Sequence, residues 1–173
     1  SGSTLRFFVP LFTLSGQPIT FLGRNRLLKR PQGVYKTMFE QQGHRFEQTE
    51  QQLIVQGALK AGSYEIDGSI SSQFITGLLF ALPLLEQDSI IHIKPPFESR
   101  SYIELTLQML KTFGVTAEFQ DNHTLYIPGN QSYQVCDYTV EGDYSQMAFY
   151  AVLAAIQSDL YCKGITSSSK QGD

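Results

Sequence analysis

The sequence predicts an α/β domain, with α+β character, that is built from repeated units. Three observations predict this class. The composition, 42% hydrophobic with 14 Gly and 7 Pro in 173 residues, is typical of a folded globular chain and excludes disordered and collagen-like chains. Strand-like and helix-like patterns alternate along the chain. A period of about 72 residues relates the first part of the chain to the second.

The period rests on segments that return in the same order. Segment 53–57 (LIVQG) returns as 125–129 (LYIPG), Gly43 returns as Gly114, and segment 67–74 returns as 140–147. Matches in one order at nearly constant spacing indicate a duplicated supersecondary unit. Each unit is predicted to contain a strand, a helix, two further strands and a second helix.

The first unit follows a helix that starts at residues 1–4. Its predicted strands are 18–22, 45–48, 52–56 and 63–66, and its predicted helices are 34–42 and 71–82. Gly43 ends the first of these helices in the left-handed conformation, and Ser71 or Ser72 starts the second. Pro83 then ends that helix. Segments 45–48 and 52–56 are close enough along the chain to form a hairpin.

The second unit repeats this order. Its predicted strands are 89–94, 115–119 and 124–127, the last two forming a hairpin around the turn at 120–123. Ile103, Leu107 and Leu110 form the apolar stripe of a helix that Gly114 ends. The helix 144–157 is almost entirely apolar, so we expect it to be buried.

Charge is uneven along the chain, although the net charge is only −3. No Asp or Glu precedes Glu40, whereas the first 39 residues hold six basic side chains: Arg6, Arg24, Arg26, Lys29, Arg30 and Lys36. A local positive field in an acidic protein favours a small anionic ligand over nucleic acid. A solvated basic turn is the simpler interpretation.

Two further patterns bear on location. The longest nearly apolar run, 74–85, is shorter than the roughly 20 residues of a spanning helix, so no membrane segment is expected. Cys136 and Cys162 are too few for a disulfide framework, and no secretory signal pattern is present. These patterns predict a cytoplasmic protein.

Four predicted helix starts carry hydrogen-bond donors. They are Gly2-Ser3-Thr4 with Arg6, the basic loop that ends in Arg30-Pro31, Ser71-Ser72-Gln73, and Ser99-Arg100-Ser101-Tyr102. Free N–H groups at a helix start bind anions, and a guanidinium grips carboxylate or phosphate through two parallel hydrogen bonds. Helix capping explains the serine clusters taken alone, and solvent-facing arginines explain the basic loop. Four of them together predict an anion site if the helix starts converge.

Other chemistries are disfavoured. His44, His92 and His123 lack metal-ligand spacing, no phosphate-binding Gly-x-x-x-x-Gly-Lys loop is present, and neither cysteine lies in a Cys-x-x-Cys setting. We therefore expect no metal and no cofactor. Asp67 and Asp143 precede helices and are interpreted as structural groups that pair with Arg6 or cap the helices.

In this order, the clusters resemble the 5-enolpyruvylshikimate-3-phosphate synthase family of 3-phosphoshikimate 1-carboxyvinyltransferases. The segments that carry the resemblance are 2–6 (GSTLR), 26–31 (RLLKRP), 71–74 (SSQF), 99–103 (SRSYI), 111–115 (KTFGV) and 140–143 (VEGD). The resemblance implies an enolpyruvyl transferase-like fold of two lobes, each an inside-out α/β barrel of three βαβαββ units. Residues 1–137 would form most of the first lobe, and residues 138–173 the crossover and the first elements of the second.

The resemblance also implies roles for individual residues. Gly2, Arg30 and Gln73 would contact phosphoenolpyruvate, while Ser3, Arg6 and Asp143 would lie near the site. Shikimate 3-phosphate would be held by Ser71, Ser72, Gln73, Ser99 and Tyr102. The family's reaction adds the 5-hydroxyl of shikimate 3-phosphate to phosphoenolpyruvate and then eliminates phosphate, on the route to chorismate and the aromatic amino acids. It uses no metal or organic cofactor.

The family's proton-transfer residues and its N-terminal lysine-serine-arginine segment have no counterpart in this sequence. We therefore expect a fragment that holds no catalytic residue and does not turn over by itself. The apolar helix 144–157 would either fold back on the domain or be exchanged with a second copy in a dimer. Two alternatives are a UDP-N-acetylglucosamine enolpyruvyl transferase-like protein, whose reactive loop cysteine neither Cys136 nor Cys162 matches, and a non-catalytic anion-binding or assembly domain.

Overall fold

The computed structural model describes residues 1–24, 26–157, 159–167 and 169–171. The helices are α1 (Gly2–Thr13), α2 (Gly33–Gln41), α3 (Gln73–Ala81), α4 (Arg100–Thr112) and α5 (Tyr144–Gln157). The strands are β1 (Ile19–Leu22), β2 (Arg45–Gln48), β3 (Gln52–Gln56), β4 (Ser63–Asp67), β5 (Ser89–Lys94), β6 (Glu118–Phe119) and β7 (Thr124–Ile127). Short 3₁₀ turns occur at Leu27–Lys29 and Leu82–Leu84.

The strands form two sheets, and three neighbouring strands of the second sheet repeat the order of the first. One sheet is β1-β3-β2, and the other is β4-β5-β7-β6. All neighbouring strands are antiparallel except β4 and β5, which pair in parallel with Tyr64 opposite Ile91. Because β1-β3-β2 and β5-β7-β6 share one topology, the structure confirms the duplicated unit.

Glycines end the equivalent helices of the two units as predicted. Gly43 follows α2 with φ 77°, and Gly114 follows α4 with φ 78°, a region that side chains with a Cβ rarely adopt. The strand predicted at 115–119 is shorter than expected. The N–H of Val115 bonds back to the Leu110 carbonyl and that of Thr116 to the Gln131 side chain, so neither is available to the ladder.

The core brings the beginnings of three helices together. Helix α1 crosses α3 so closely that a Cβ on Gly77 would lie 2.4 Å from the Arg6 carbonyl oxygen. The fully buried Tyr35 of α2 places its hydroxyl 2.7 Å from that oxygen and 3.0 Å from the Phe74 carbonyl oxygen. Burial raises the pKa of Tyr35 well above its usual value, so the hydroxyl remains a donor.

Helix α5 has the predicted bounds but not the predicted burial. None of its residues is buried, and its largest apolar side chains are exposed: Phe149, Tyr150, Val152, Leu153 and Ile156. The expectation that it is buried, or folded back on this domain, is therefore wrong for this structure. An apolar pattern predicts that a helix face packs against another surface, but it does not show that such a surface is present in the same chain. No helix within the described residues is long and apolar enough to span a membrane.

Candidate functional site

A recess of about 590 Å³ lies at the N-terminal ends of α1, α3 and α4. Its polar lining comes from the three helix starts and two threonines: Ser3, Ser71, Ser72, Gln73, Ser99, Tyr102, Thr76 and Thr106. No Asp or Glu is among the described residues that line it. Three helix N-termini with their positive ends at one place favour an anionic ligand.

The serines at these helix starts are not consumed by capping. Ser72 and Ser99 occupy the cap positions of α3 and α4, yet neither side chain makes a capping hydrogen bond. Ser71 Oγ lies 3.4 Å from the N–H of Gln73, at the long end of the range for a hydrogen bond. The capping explanation therefore does not account for the hydroxyls of Ser72 and Ser99. They remain available to a ligand in the recess.

Arg30 lies beside the start of α1. Its backbone is extended, with φ −69° and ψ 132°, as expected for a residue before proline. Gln48 Nε2 holds this segment by donating to the carbonyl oxygens of Leu28 at 2.6 Å and Arg30 at 2.9 Å. A Cβ on Gly2 would lie 2.3 Å from Arg30 Nη1, so the absence of a side chain at Gly2 leaves room for the guanidinium.

Arg6 contacts α3 and the segment that follows Arg30. Its Nη1 donates to Gln73 Oε1 at 3.0 Å, and its Nη2 donates to the Pro31 carbonyl oxygen at 3.2 Å. Burial lowers the pKa of Arg6, and the neighbouring Arg30 charge lowers it further. No salt bridge among the described residues involves either arginine. An anion bound beside Arg30 would reduce the repulsion between the two guanidinium groups.

The floor of the recess holds residues that the sequence analysis missed. Thr76 Oγ1 of α3 lies 3.0 Å from Thr106 Oγ1 of α4, and the rings of Phe7 and Phe80 meet edge-to-face at 5.5 Å. Thr76 and Phe80 follow Gln73 at helical spacings of three and seven. That spacing places all three on one helix face and could have identified them.

The predicted site residues fall into three places. Ser3, Ser71, Ser72, Gln73, Ser99 and Tyr102 line the one recess. Gly2 and Arg30 are in contact beside it, and Arg6 reaches it through Gln73. Asp143 lies on a separate recess next to α5, with Tyr150 and Tyr161.

The acidic residues before the helices serve local turns. Asp143 caps α5 by accepting a hydrogen bond from the N–H of Gln146 at 3.2 Å, and Asp67 accepts from the N–H of Ser69 at 2.9 Å. Neither aspartate pairs with Arg6, although pairing with Arg6 was one of the two roles expected from the sequence. The donors of Arg6 are directed instead at Gln73 and Pro31.

With this geometry in place, comparison with known proteins identifies the family. The family model for EPSP synthase (3-phosphoshikimate 1-carboxyvinyltransferase) matches residues 1–173. The chain belongs to the EPSP synthase family.

Curated members of the EPSP synthase family are similar along the whole chain. The 3-phosphoshikimate 1-carboxyvinyltransferase of Clostridium perfringens is 47% identical over 175 residues, and that of Clostridioides difficile is 46% identical. Each match covers 100% of this chain. The chain spans 41% of the length of the first relative and 40% of the second.

A solved EPSP synthase from Acinetobacter baumannii has the same fold. It superposes with a TM-score of 0.70 at 22% identity, over 90% of this chain and 35% of that one. This likeness supports the α/β enolpyruvyl transferase-like fold expected from the sequence.

Proposed function

We propose that the recess binds shikimate 3-phosphate and phosphoenolpyruvate, and that the chain is part of a 3-phosphoshikimate 1-carboxyvinyltransferase. Membership of the EPSP synthase family and the curated relatives of that name support this assignment. The geometry of the recess supports the substrate class, because both proposed ligands are small anions.

The proposed contacts follow the chemistry of each group. Hydroxyls of Ser71, Ser72 and Ser99 donate to the phosphate and hydroxyl oxygens of shikimate 3-phosphate, and Tyr102 lies beside its ring. Phosphoenolpyruvate takes the side nearer Gly2, where Arg30 supplies a bidentate donor pair. Gln73 lies between the two positions and donates to either ligand.

One observation carries the proposal. The hydroxyls of Ser72 and Ser99 make no capping bond and line a recess that has no carboxylate in its described lining, with Arg30 next to it. Uncommitted donors and positive helix ends together form a site for oxyanions. If these serines served only as helix caps, their hydroxyls would be hydrogen-bonded to backbone N–H groups.

In the proposed reaction, the residues that line the recess bind and orient the substrates. The 5-hydroxyl group loses its proton as its oxygen bonds to C2 of phosphoenolpyruvate, and C3 gains a proton. The resulting tetrahedral intermediate then loses phosphate and a C3 proton, which restores the C2–C3 double bond. No Asp, Glu, His or Lys is among the described residues that line the recess. The described lining therefore offers no side chain of these types to transfer the protons. We therefore propose that the chain by itself binds substrate without turnover. The missing remainder of the enzyme would supply the catalytic groups.

Location and further partners belong to the same proposal. A cytoplasmic location agrees with the free thiols of Cys136 and Cys162. No nucleic-acid partner is expected of a chain with a net charge of −3. The exposed apolar face of α5 supports an exchanged dimer in which each copy covers the α5 of the other.

Calorimetry with shikimate 3-phosphate tests the binding assignment. We expect the wild-type chain to bind, and Ser71→Ala to weaken binding by about 10-fold or more because it removes a donor to a charged oxygen. Arg30→Ala should weaken binding of phosphoenolpyruvate, the ligand assigned to that guanidinium, by about the same factor. Arg45→Ala is the matched control, since it removes an exposed guanidinium that pairs with Glu47. If none of the small anions tested releases or absorbs heat on mixing with the chain, the non-catalytic assembly domain is favoured instead.

A further inference from the structure

One guanidinium connects three segments of the chain at and beside the recess. Arg6 belongs to α1, its Nη1 reaches Gln73 of α3, and its Nη2 reaches the carbonyl of Pro31, next to Arg30. The guanidinium carbon also lies 4.4 Å above the centre of the Phe74 ring. The side chain is therefore held in place on two sides by hydrogen bonds and on one face by an aromatic ring.

This contact determines which way the Gln73 amide points. A guanidinium has donors only, so the atom of Gln73 that faces it must be the amide oxygen. The amide nitrogen then points away from Arg6. No hydrogen bond between described residues uses Gln73 Nε2, and Gln73 itself lines the recess.

The polarity of the exposed amide end matters for an anionic ligand. Phosphate and carboxylate oxygens accept hydrogen bonds, so they match an NH₂ group and are repelled by an amide oxygen. Without Arg6, the Gln73 amide could turn over and present its oxygen to the ligand. Arg6 opposes that turn, because its Nη1 would then face an NH₂ group and both donors would lack a partner.

We infer that Arg6 is a positioning residue, which fixes the Gln73 side chain as a hydrogen-bond donor toward an anion in the recess. The ligand part of this inference rests on the proposed function. Arg6 acts through Gln73 and through the Pro31 carbonyl, and not by touching the ligand itself. Its own role is to select one of two amide orientations and to hold it.

The restraint that Arg6 places on the Gln73 amide is measured without any ligand. In the uniformly ¹⁵N-labelled chain, we expect the Nε2 group of Gln73 to show a high heteronuclear NOE, typical of a restrained side chain. Arg6→Ala should lower this NOE toward that of an exposed glutamine, and Arg45→Ala should leave it unchanged. An equally low NOE in the wild-type chain and in Arg6→Ala would overturn the inference.

Gln73→Glu separates positioning from folding. A carboxylate keeps the oxygen that Arg6 bonds but removes the NH₂ group and adds negative charge facing the ligand. We expect this variant to be as stable as the wild type toward urea and to bind shikimate 3-phosphate about 100-fold more weakly or not at all. Wild-type binding by Gln73→Glu would contradict a donor role for Gln73.

A double-mutant cycle then tests whether Arg6 acts through Gln73. We expect Arg6→Ala and Gln73→Ala each to weaken shikimate 3-phosphate binding by about 10- to 100-fold, and the double variant to be little weaker than either one. Additive losses would overturn the positioning role. If the wild-type chain binds neither shikimate 3-phosphate nor inorganic phosphate, the proposed function fails for this chain, while the NOE comparison still decides whether Arg6 restrains the Gln73 amide.

Discussion

Helices α3 and α5 occupy equivalent places in the two repeats, and both are almost entirely apolar. Seven of the nine residues of α3 are buried, whereas no residue of α5 is buried. Helix α3 packs between α1 and α4, and its N-terminus borders the recess. The same kind of sequence therefore forms a central element in one repeat and an uncovered one in the other.

The segments that precede the two helices differ in the same way as the helices: one is buried and the other is exposed. Before α3, strand β4 pairs in parallel with β5 and buries Tyr64 and Ile66. Before α5, residues 128–143 form no strand; Val135 is fully exposed and Val140 is 81% exposed. A strand and helix that lack a neighbouring sheet edge and neighbouring helices have nothing to bury their apolar side chains against. Burial here is decided by the neighbours and not by the hydrophobicity of the helix.

The largest expected effect of this difference is self-association through α5. We expect the chain to form dimers with a dissociation constant on the order of micromolar, about 8 kcal/mol, because exposed apolar patches of this kind rarely remain uncovered. Sedimentation velocity across a concentration series measures it. Phe149→Asp with Ile156→Asp should give monomers, and Leu22→Asp, at another exposed apolar position, should not. A single monomeric species at high concentration would refute the exchange.

The second effect comes from making one substitution in both helices. Leu78→Ala in α3 removes a fully buried side chain and should lower the free energy of unfolding by about 2–5 kcal/mol. Leu153→Ala in α5, where the leucine is 44% exposed, should change it by less than about 0.5 kcal/mol. Urea denaturation of both variants under dilute conditions measures the difference. Equal losses would show that α5 is packed in solution.

The third effect concerns the close approach of α3 to α1. Gly77→Ala would place a Cβ 2.3 Å from the Tyr35 hydroxyl and 2.4 Å from the Arg6 carbonyl oxygen, and should cost about 1–3 kcal/mol. Gly33→Ala at the start of α2 is the matched control. It meets no atom within 4 Å and should be neutral or slightly stabilising. Thermal unfolding distinguishes the two variants, and a neutral Gly77→Ala would show that α1 and α3 can separate without loss.

Local sequence signals predicted most of the fold. Gly43 and Gly114 ended their helices, the period of about 72 residues predicted the duplicated unit, and the bounds of α5 were correct. The length of β6 was not predictable, since Thr116 gives its N–H to the side chain of Gln131, fifteen residues away. The exposure of α5 was missed because a hydrophobic pattern carries no information on whether a partner surface is present.

For the recess, too, the local features were predicted from the sequence and the long-range contacts were not. Serines at helix starts and Arg30 before Pro31 were visible as local patterns, and the sequence could state the condition that the helix starts converge. It could not show that the donors of Arg6 reach Gln73 and not an aspartate, because that choice depends on how α1 crosses α3 at Gly77. Long-range hydrogen bonds between side chains follow from packing, and a single sequence does not encode them as a pattern.

The smallest expected effect concerns the residues just before the two helices. Asp143 caps α5 through the N–H of Gln146, so Asp143→Ala should lower the local opening free energy of α5 by about 1 kcal/mol, as measured by amide hydrogen exchange. Ser72 makes no capping bond, so Ser72→Ala should leave the exchange of α3 within about 0.5 kcal/mol of the wild type.

Ligand binding should show the opposite order. Because its hydroxyl is free for the recess, Ser72→Ala should weaken shikimate 3-phosphate binding by about 10-fold, while Asp143→Ala, on a separate recess, should leave it unchanged. Calorimetry on the two variants completes the comparison. A Ser72→Ala variant that loses helix stability but keeps full affinity would return this serine to a capping role. The contrast between a functional helix start and a structural one would then not hold.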